Sequence, residues 1–475
     1  MSFRQESDLL GTKDIPKDAL YGVQSLRGFE NFHISGIPMN HFPNFIKGFA
    51  ITKKCAAEAN YQLGLLTEEQ YKAIIQACNE INEGQFHENF KSDMIQGGAG
   101  TTMNMNANEV IANRALKIMG HEYGEYKYCS PNDHINCSQS TNDAYPTAFH
   151  CGLYLENKNL VKALEDIIVS FEKKAVEYKD IIKMGRTQLQ DGVPMTLGQT
   201  FQAYADGVKE ELEHIRHSAE EFLTINMGAT AIGTGICSQP GYTDKVIEAF
   251  KKETGHEFKL AKNLIFATSD TSPLVRYSSE LRHLALKLCK ICNDLRLLSS
   301  GPRCGLEEIH LPERQPGSSI MPGKVNPVIP EVVNQVCYKV IGNDTTVAFG
   351  SENAQLELNV MEPVMVFSVF ESINLLTNAL NTLREKCIDG IEANKENCEH
   401  FVKNSIGIVT ALNPYIGYKH STALAKEAMQ TGKSIIDLVL EKKILTKEEL
   451  DIILKPENMI HPVKLDIHPH DEEKK

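Results

Sequence analysis

The sequence predicts a fold of bundled α-helices, and three observations carry this prediction. Apolar residues recur at alternating spacings of three and four along three segments, strand-like alternation is scarce, and neither a GxGxxG nor a GxxxxGK[ST] element occurs. The missing glycine motifs disfavour nucleotide-binding sheet folds. At 475 residues the chain exceeds what one hydrophobic core normally serves, so we expect two or three domains.

Composition and charge narrow the class of protein. Apolar content of 42% with 23% charged residues is ordinary for a soluble globular chain. The net charge of −13 argues against nucleic acid or an anionic membrane as a partner. The N-terminus has no apolar stretch of the secretory type, and no run of about 18 apolar residues suggests a membrane span. Twelve cysteines without a disulfide or zinc framework fit a reduced, cytoplasmic protein.

The predicted elements fall into three segments. Residues 1–140 mix short helices with turns and form an N-terminal domain. Residues 141–395 carry the long helices of a central bundle domain. After Asp389 and Gly390 the pattern becomes shorter in period and more charged, which predicts a small C-terminal helical domain over 396–475, ending in a solvated polar tail.

Three heptad-like apolar seams predict the bundled helices of the central segment. They run over residues 164–178, 274–298 and 366–387. Five further apolar residues widen the face of the third helix: Val364, Met365, Phe367, Phe370 and Leu375. A helix that is apolar on more than one side must be buried on more than one side, so we expect subunits to associate through a shared helical bundle.

Residues 317–327 read GSSIMPGKVNP and predict a shaped loop between helices. Its glycines reach backbone angles closed to other residues, its prolines restrict theirs, and its N–H groups, hydroxyls and Lys324 suit a small anion. The alternative is a mobile surface turn. We disfavour that interpretation because Ile320, Met321 and Val325 provide apolar anchors that a solvated linker does not need.

Three other segments resemble this loop in kind: GGAGTTMNMN at 97–106, SQSTND at 138–143 and MGRTQ at 184–188. Each is expected to place small polar donors beside a helix N-terminus, where free N–H groups and the helix dipole favour an anion. Taken individually, each is more often a helix cap. The sequence does not show whether the segments converge.

These segments, in this order, resemble the signature of the fumarase/aspartase superfamily. The matching stretches are GSSIMPGKVNP, GGAGTTMNMNANEVIANRA, SQSTNDAYPTA and MGRTQLQDGVPMTLGQ, and the resemblance extends to ALNPYIGYKHSTALAKEA near the C-terminus. It implies an all-α, three-domain fold whose central long-helix bundle forms a twenty-helix core in a homotetramer. It also implies active sites assembled from three subunits.

Within the superfamily, the sequence resembles the aspartase branch. KVNP points away from argininosuccinate lyase, and the opening LLGTKDIPKDALYGVQSLRGFENF, STND, and NVMEPV at 359–364 are similar to the aspartase version. The implied reaction is the reversible conversion of L-aspartate to fumarate and ammonia through an enediolate-like intermediate. Donors aimed at the developing charge are each expected to contribute roughly 10²–10³ in rate.

The resemblance also implies roles for individual residues. Ser318 is the catalytic base, with its alkoxide stabilised by loop N–H groups and Lys324, and closure of the loop excludes water. The other implied roles are substrate contacts: Thr101, Ser140 and Thr141 to the β-carboxylate or its enediolate form, Asn142 and Thr187 to the ammonium group, and Lys324, Asn326 and Ser319 to the α-carboxylate. Contact with a carboxylate is a further role open to Asn142, and Ser319 has the alternative role of shaping the turn.

Gln188 departs from the fumarase pattern, in which a histidine at this position pairs with a glutamate that is retained here as Glu331. A protonated amine leaves as neutral ammonia, whereas hydroxide needs an acid, so an ammonia-lyase tolerates loss of the histidine better than a hydratase does. Gln188 is therefore a candidate substrate contact. Glu331 has the alternative role of a first-turn helix residue.

Two other functions remain open at this point. Fumarate hydratase shares the fold and the base, and a non-catalytic structural protein with this fold is the other alternative. The resemblance implies no required cofactor. Some aspartases respond to a divalent metal such as Mg²⁺, but no metal-ligand cluster is recognisable in the sequence, so no metal site is assigned.

Overall fold

The computed structural model describes residues 2–470 and is mainly helical. Its helices, in chain order, are α1 (Val23–Asn31), α2 (Pro43–Gln62), α3 (Glu68–Asn82), α4 (Thr101–Ile118), α5 (Thr141–Glu177), α6 (Leu197–Ala219), α7 (Tyr242–Thr254), α8 (Leu264–Ser269), α9 (Ser272–Leu298), α10 (Val328–Glu352), α11 (Glu362–Lys386), α12 (Lys395–Asn404), α13 (Val409–Thr431), α14 (Ile435–Glu441), α15 (Lys447–Ile453) and α16 (Pro456–Met459).

The strands form short two-stranded sheets. They are β1 (Phe3–Asp8) with β2 (Gly11–Pro16), β3 (Ile182–Thr187) with β4 (Gln190–Thr196), β5 (Thr224–Ile225) with β6 (Lys259–Leu260), and β7 (Ile309–His310) with β8 (Glu392–Ala393). The β5–β6 pair is parallel and the other three are antiparallel. The all-α class is confirmed, because these pairs are small accessories to the helices.

The three predicted seams are confirmed by burial. The apolar residues that recur at the alternating spacings of three and four all lie below one tenth exposure, on α5, α9 and α11 or directly after them. The expectation for the widened face of α11 is only partly met. Met365 and Phe370 are buried within the single chain, while Val364, Phe367 and Leu375 are half-buried. A single chain therefore covers more of the apolar face of α11 than the sequence led us to expect.

Aromatic packing explains this coverage. Phe370 stacks on Phe45 of α2 at 5.1 Å between ring centroids, and Phe42 lies 6.1 Å from Phe367. Within residues 2–470, one helical stretch, Glu362–Gly390, is long and apolar enough to cross a membrane, and 61% of its apolar window is buried inside the fold. Such burial is that of a core helix.

The chain divides into two compact units. The first comprises the residues up to Lys162, with Glu211–Leu286 and Val336–Asn378; the second comprises Ala163–Glu210, Lys287–Gln335 and the chain from Ala379 onward. The domain boundaries expected at 140 and 395 are not tested by this division and stay a prediction. The end of the polar tail, residues 471–475, lies outside the described residues.

Each unit has its own apolar core. In the first, residues of α2, α5 and α7 pack together, including Cys55, Cys151 and Phe250. In the second, the C-terminal helices pack on strand β3, where Ile182 and Met184 share a cluster with buried side chains of α12 to α15. The β3–β4 hairpin is thereby fixed to a helical base, and this base positions its tip.

Candidate active site

Two of the predicted donor segments lie side by side in the first unit. Helix α4 begins at Thr101 and helix α5 at Thr141, and the Nδ2 of Asn104 donates to the Oγ1 of Thr141 at 3.2 Å. Gly100 has a φ of +87°, and a Cβ at this position would lie 2.5 Å from the ring of Tyr145. The two positive helix ends are therefore adjacent, an arrangement that suits a bound anion.

Ser140 and Asp143 cap helix α5. The Oγ of Ser140 accepts from the backbone N–H of Asn142 at 3.2 Å, and the Ser140 N–H donates to Oδ1 of Asp143 at 2.9 Å. The capping role considered for this segment is thus realised. Ser140, Thr141 and Asn142 are half-buried, while Thr101 is exposed and its hydroxyl donates to the carbonyl of Gly98 at 2.7 Å.

A fifth segment, residues 226–235, lies beside these helix ends and was not predicted from the sequence. Asn226 donates from Nδ2 to the carbonyl of Asn142 at 3.0 Å, and Asn142 donates from Nδ2 to the carbonyl of Ala231 at 2.8 Å. Gly228 and Thr230 donate backbone N–H groups to Oδ2 of Asp143 at 3.0 and 2.8 Å. Its composition, NMGATAIGTG, has the glycines and threonines that marked the other segments, so the signal was present.

Behind these helix ends lies a buried lysine. Lys53 of α2 donates from Nζ to Oδ1 of Asn104 at 2.7 Å, to Oδ1 of Asn136 at 3.1 Å and to Oε1 of Gln139 at 2.9 Å. Burial lowers the pKa of Lys53 to about 7, against the attraction of Asp143. Three acceptor oxygens match the three N–H groups of an ammonium, so we assign the charged form.

The pKa of Asp143 is shifted in the opposite direction to that of Lys53. Burial raises the pKa of its carboxyl to about 6, and the N–H groups of Ser140, Thr230 and Gly228 and the charge of Lys53 oppose that rise. With a pKa near 6 the carboxylate is the main form at pH 7. Asp143 therefore joins the start of α5 to the missed segment as a charged hydrogen-bond acceptor.

The 317–327 loop belongs to the second unit, and hydrogen bonds join its two ends. Gly317 N–H donates to the carbonyl of Lys324 at 2.7 Å, and Asn326 Nδ2 donates to the carbonyl of Gly317 at 2.8 Å. Within the loop, the Oγ of Ser318 accepts from the N–H groups of Ile320 at 3.2 Å and Met321 at 3.0 Å. The hydroxyl thus sits in a small concavity of backbone donors, which stabilises negative charge on its oxygen.

The expectation of apolar anchors in this loop is wrong for the single chain. Ile320 is 84% exposed, Met321 49% and Val325 41%. Ser319 and Lys324 are also exposed, and the Nζ of Lys324 has no hydrogen bond or ion pair among the described residues. The loop is held by the hydrogen bonds between its two ends, and these side chains are exposed to solvent.

The expected setting of MGRTQ is also wrong. Thr187 is the last residue of β3, and Gln188 and Leu189 form the two-residue turn of the β3–β4 hairpin, with φ of +55° and +61°. These angles are those of a type I′ turn. Thr187 and Gln188 are exposed at this tip rather than beside a helix N-terminus.

The base of the hairpin is fixed by charge. Arg186 lies 2.7 Å from the buried carboxylate of Glu308, and Lys183 lies 3.2 Å from the same side chain. Glu331, expected either as a charged partner or as a first-turn residue, lies in the first turn of α10. The candidate residues thus fall into two sets: Thr101 and Ser140 to Asn142 in the first unit, and Thr187, Gln188 and the 317–327 loop in the second.

One possible metal-ligand group exists among residues 2–470. It consists of Glu211, Glu280 and His283, whose ligand atoms lie within 4.8 Å of one another. No local sequence pattern marks this group, because its members come from two helices far apart in the chain. None of the candidate substrate contacts belongs to it.

Comparison with known proteins identifies the class. A family model described as lyase matches residues 11–342, and a second, described as the fumarase C C-terminus, matches residues 408–461. The fold and the family models together define a mainly helical lyase. The chain belongs to the fumarase/aspartase superfamily, as the motifs of the two site halves suggested.

Individual relatives cover nearly the whole chain. An aspartate ammonia-lyase of Pseudomonas aeruginosa is 55% identical over 462 residues, covering 97% of this chain and 98% of the relative. A solved structure of fumarate lyase:delta crystallin from Brucella melitensis bound to cobalt has a TM-score of 0.94 and 49% identity, and the match covers 97% of this chain and 100% of that structure. The solved structure of a class II fumarase from Schistosoma mansoni has a TM-score of 0.90 and 33% identity, and the match covers 96% of this chain and 99% of that structure.

Proposed function

We propose that this protein is an aspartate ammonia-lyase, which converts L-aspartate reversibly to fumarate and ammonia. The observation that carries the proposal is the similarity over almost the full length to relatives of that name, at 55% identity, against 33% for the fumarase. The aspartase-like segments agree, among them Gln188 at the hairpin tip and NVMEPV at 359–364.

In the proposed reaction, Ser318 takes the proton from the carbon next to the β-carboxylate. The N–H groups of Ile320 and Met321 already point at its oxygen and support the alkoxide that such a base requires. Loop closure over the substrate would bring Lys324 to the α-carboxylate and bury the exposed apolar side chains of the loop. Asn326 and Ser319 donate to the same carboxylate.

The proposed enediolate is held at the paired helix ends. Its two negative charges develop on the β-carboxylate, and Thr101, Ser140 and Thr141 donate there together with the free N–H groups of α4 and α5. Lys53 adds positive charge behind them and fixes Asn104, which donates to Thr141. The deprotonated carbon then expels neutral ammonia, so this step needs no separate acid.

The ammonium group of the substrate is assigned to Asn142 and Thr187, with Gln188 as a further candidate substrate contact. Because the resemblance implies sites built from three subunits, we propose a homotetramer in which different chains supply these residues. An exposed face of α10 supports association: Tyr338 is 60% exposed and Phe349 63%, with Gly342 on the same side of the helix. We also propose a cytoplasmic enzyme that needs no cofactor, with a divalent metal such as Mg²⁺ as activator at most, and no nucleic acid or membrane partner.

The test is substrate choice. Purified protein is incubated separately with L-aspartate, L-malate and argininosuccinate, and fumarate is followed by its ultraviolet absorbance. We expect fumarate from L-aspartate and release of ammonia in equal amount. Fumarate from malate and none from aspartate would replace the proposal with fumarate hydratase. Absence of turnover on all three would favour a structural protein of this fold.

A further inference from the structure

A cavity of about 310 Å³ lies in the first unit beside the start of α5. Its walls include Phe149 and His150 of α5, Asn226 of the missed segment, Phe266 of α8, and Glu362, the first residue of α11. We call it the Glu362 cavity. None of the candidate substrate contacts lines it, but Asn226 does, and the Nδ2 of Asn226 donates to the carbonyl of Asn142.

Glu362 is an unusual wall residue because it is buried and has no partner. It is 4% exposed, and its side chain makes no hydrogen bond or ion pair among the described residues. Burial raises the pKa of its carboxyl to about 8. At pH 7 a carboxyl with this pKa is mainly protonated, and a cation bound beside it favours the charged form. A buried carboxyl facing a cavity without a counter-ion is a natural site for a cation.

The other ionisable groups around the cavity have their own partners or face solvent. Glu221 pairs with Arg276 at 2.6 Å, Oδ1 of Asp270 accepts the hydroxyl of Ser272 at 2.6 Å, and Lys262 is exposed. Tyr145 of α5 does not line the cavity, and its buried hydroxyl has no hydrogen-bond partner among the described residues; burial, followed by the charge of Glu362, raises its pKa well above the usual value.

His150 adds a neutral acceptor. Its Nδ1 lies 3.1 Å from the carbonyl of Thr224 and must carry the hydrogen, which leaves Nε2 with its lone pair. Burial lowers the pKa of this imidazole to about 4, so it is neutral at pH 7. The wall of the cavity therefore contains two residues that can accept hydrogen bonds, His150 and Glu362, beside the aromatic rings of Phe149 and Phe266.

We propose that the Glu362 cavity binds a small ammonium cation, with Glu362 as its counter-ion, and that this cation is the ammonium ion formed when the ammonia released by the reaction takes up a proton from solvent. An ammonium ion has four N–H donors and one positive charge, which match these acceptors. Binding converts the Glu362 carboxylic acid to a carboxylate and releases its proton to solvent. The identity of the cation as a product rests on the proposed function; the cavity and its carboxyl do not.

The test is calorimetry on the full-length protein at pH 7, with ammonium chloride as the probe and sodium chloride at equal ionic strength as the reference. Titrations in buffers of different ionisation enthalpy count released protons. We expect a heat specific to ammonium and proton release approaching one per chain. Absence of both in the wild-type protein would overturn the proposal without any variant.

Variants identify the site. Glu362→Gln keeps the shape of the neutral acid and is expected to abolish proton release and to weaken ammonium binding by at least about tenfold. The control is Glu213→Gln, the same chemical change at an exposed residue of α6, which should bind like the wild type. Unchanged binding and proton release in Glu362→Gln would also overturn the proposal.

Two further arms identify the source of the cation. Methylammonium binding in place of ammonium would assign the cavity to an organic amine and overturn its assignment to the product. Fumarate formation from L-aspartate is measured separately on the same samples. If ammonium binds with proton release but aspartate is not deaminated, the cavity assignment stands and the proposed function fails; the reverse result rejects the cavity alone.

Discussion

At the scale of single residues, the hydroxyl of Ser318 has the most informative surroundings. Two consecutive backbone N–H groups point at its oxygen, although no other donor reaches it among the described residues. A serine hydroxyl is a poor base unless its alkoxide is stabilised, and fixed N–H dipoles provide that stabilisation without reorganisation. The loop thus supplies half of what a serine base needs before any substrate binds.

Replacing Ser318 by alanine should therefore lower kcat by about 10²–10⁴-fold, the range for a general base. Ser319→Ala is the matched control, since this neighbouring serine is exposed and lacks such donors; we expect a loss below about tenfold, the cost of one hydrogen bond. Fumarate formation at saturating L-aspartate is the measurement. Undiminished turnover in Ser318→Ala would show that another group takes the proton.

Gln188 allows its side chain and its backbone to be tested apart. Its φ of +55° favours glycine, so Gln188→Gly should leave stability unchanged or slightly higher. The loss of the amide should reduce kcat/KM for L-aspartate by about five- to tenfold, the value of one hydrogen bond. Leu189→Gly makes the same change at the other turn position, φ +61°, and should keep full activity. Equal activity in both variants would remove Gln188 from the substrate contacts.

At the scale of elements, helix α2 crosses α5 at contact distance, and two glycines make this crossing possible. A Cβ at Gly48 would lie 2.1 Å from the carbonyl of Ala148, and one at Gly152 would lie 2.8 Å from the carbonyl of Asn44. The crossing carries Lys53 on one helix and the start of α5 on the other. Close backbone packing thus sets the position of the buried lysine behind Thr141.

Gly48→Ala should force the two helices apart and destabilise the fold by about 1–3 kcal/mol, the usual cost of overpacking. Gly207→Ala is the control, because a Cβ there would meet only Lys287 Cδ at 3.9 Å inside helix α6; alanine should leave stability equal or raise it slightly. Urea unfolding midpoints at one protein concentration compare the two. A Gly48→Ala midpoint at the wild-type value would contradict the tight crossing.

At the scale of the whole molecule, the candidate contacts are distributed over two compact units, and the single chain leaves an aromatic face of α10 uncovered. Tyr338 and Phe349 lie four and seven positions from Gly342, which places all three on one side of the helix. A long helix with exposed aromatic side chains is the kind of surface through which subunits associate. The homotetramer is therefore a prediction about this face.

Phe349→Glu should dissociate the assembly, because it places a charge in the centre of an apolar contact. We expect light scattering to show a mass that falls from four 53.0-kDa chains towards one, with helical circular dichroism retained and turnover lost. Tyr418→Glu, at an aromatic residue of α13 that is 78% exposed, should leave mass and turnover unchanged. A monomeric Phe349→Glu with full activity would show that one chain contains the whole site.

The accuracy of the predictions made from the sequence differs from residue to residue. The helical seams were predictable because a period between three and four fixes which side chains face a core, and the apolar residues at that spacing are buried. The position of Gln188 in a hairpin turn was not predictable. A type I′ turn requires positive φ at both central residues, and here neither is glycine, so the residue types do not indicate it. Ile320 was misread because an apolar side chain on a loop does not reveal whether its own chain covers it.

The sequence by itself determined the helical class, the seams of the long helices and the donor-rich segments, since periodicity and residue chemistry are local properties. Its motifs also indicated the family before any comparison. Only the tertiary structure decided that α4 and α5 begin side by side, that Lys53 and the 226–235 segment stand behind them, and that Glu362 faces a cavity without a partner. These are relations between residues distant in the chain, and only packing brings such residues together.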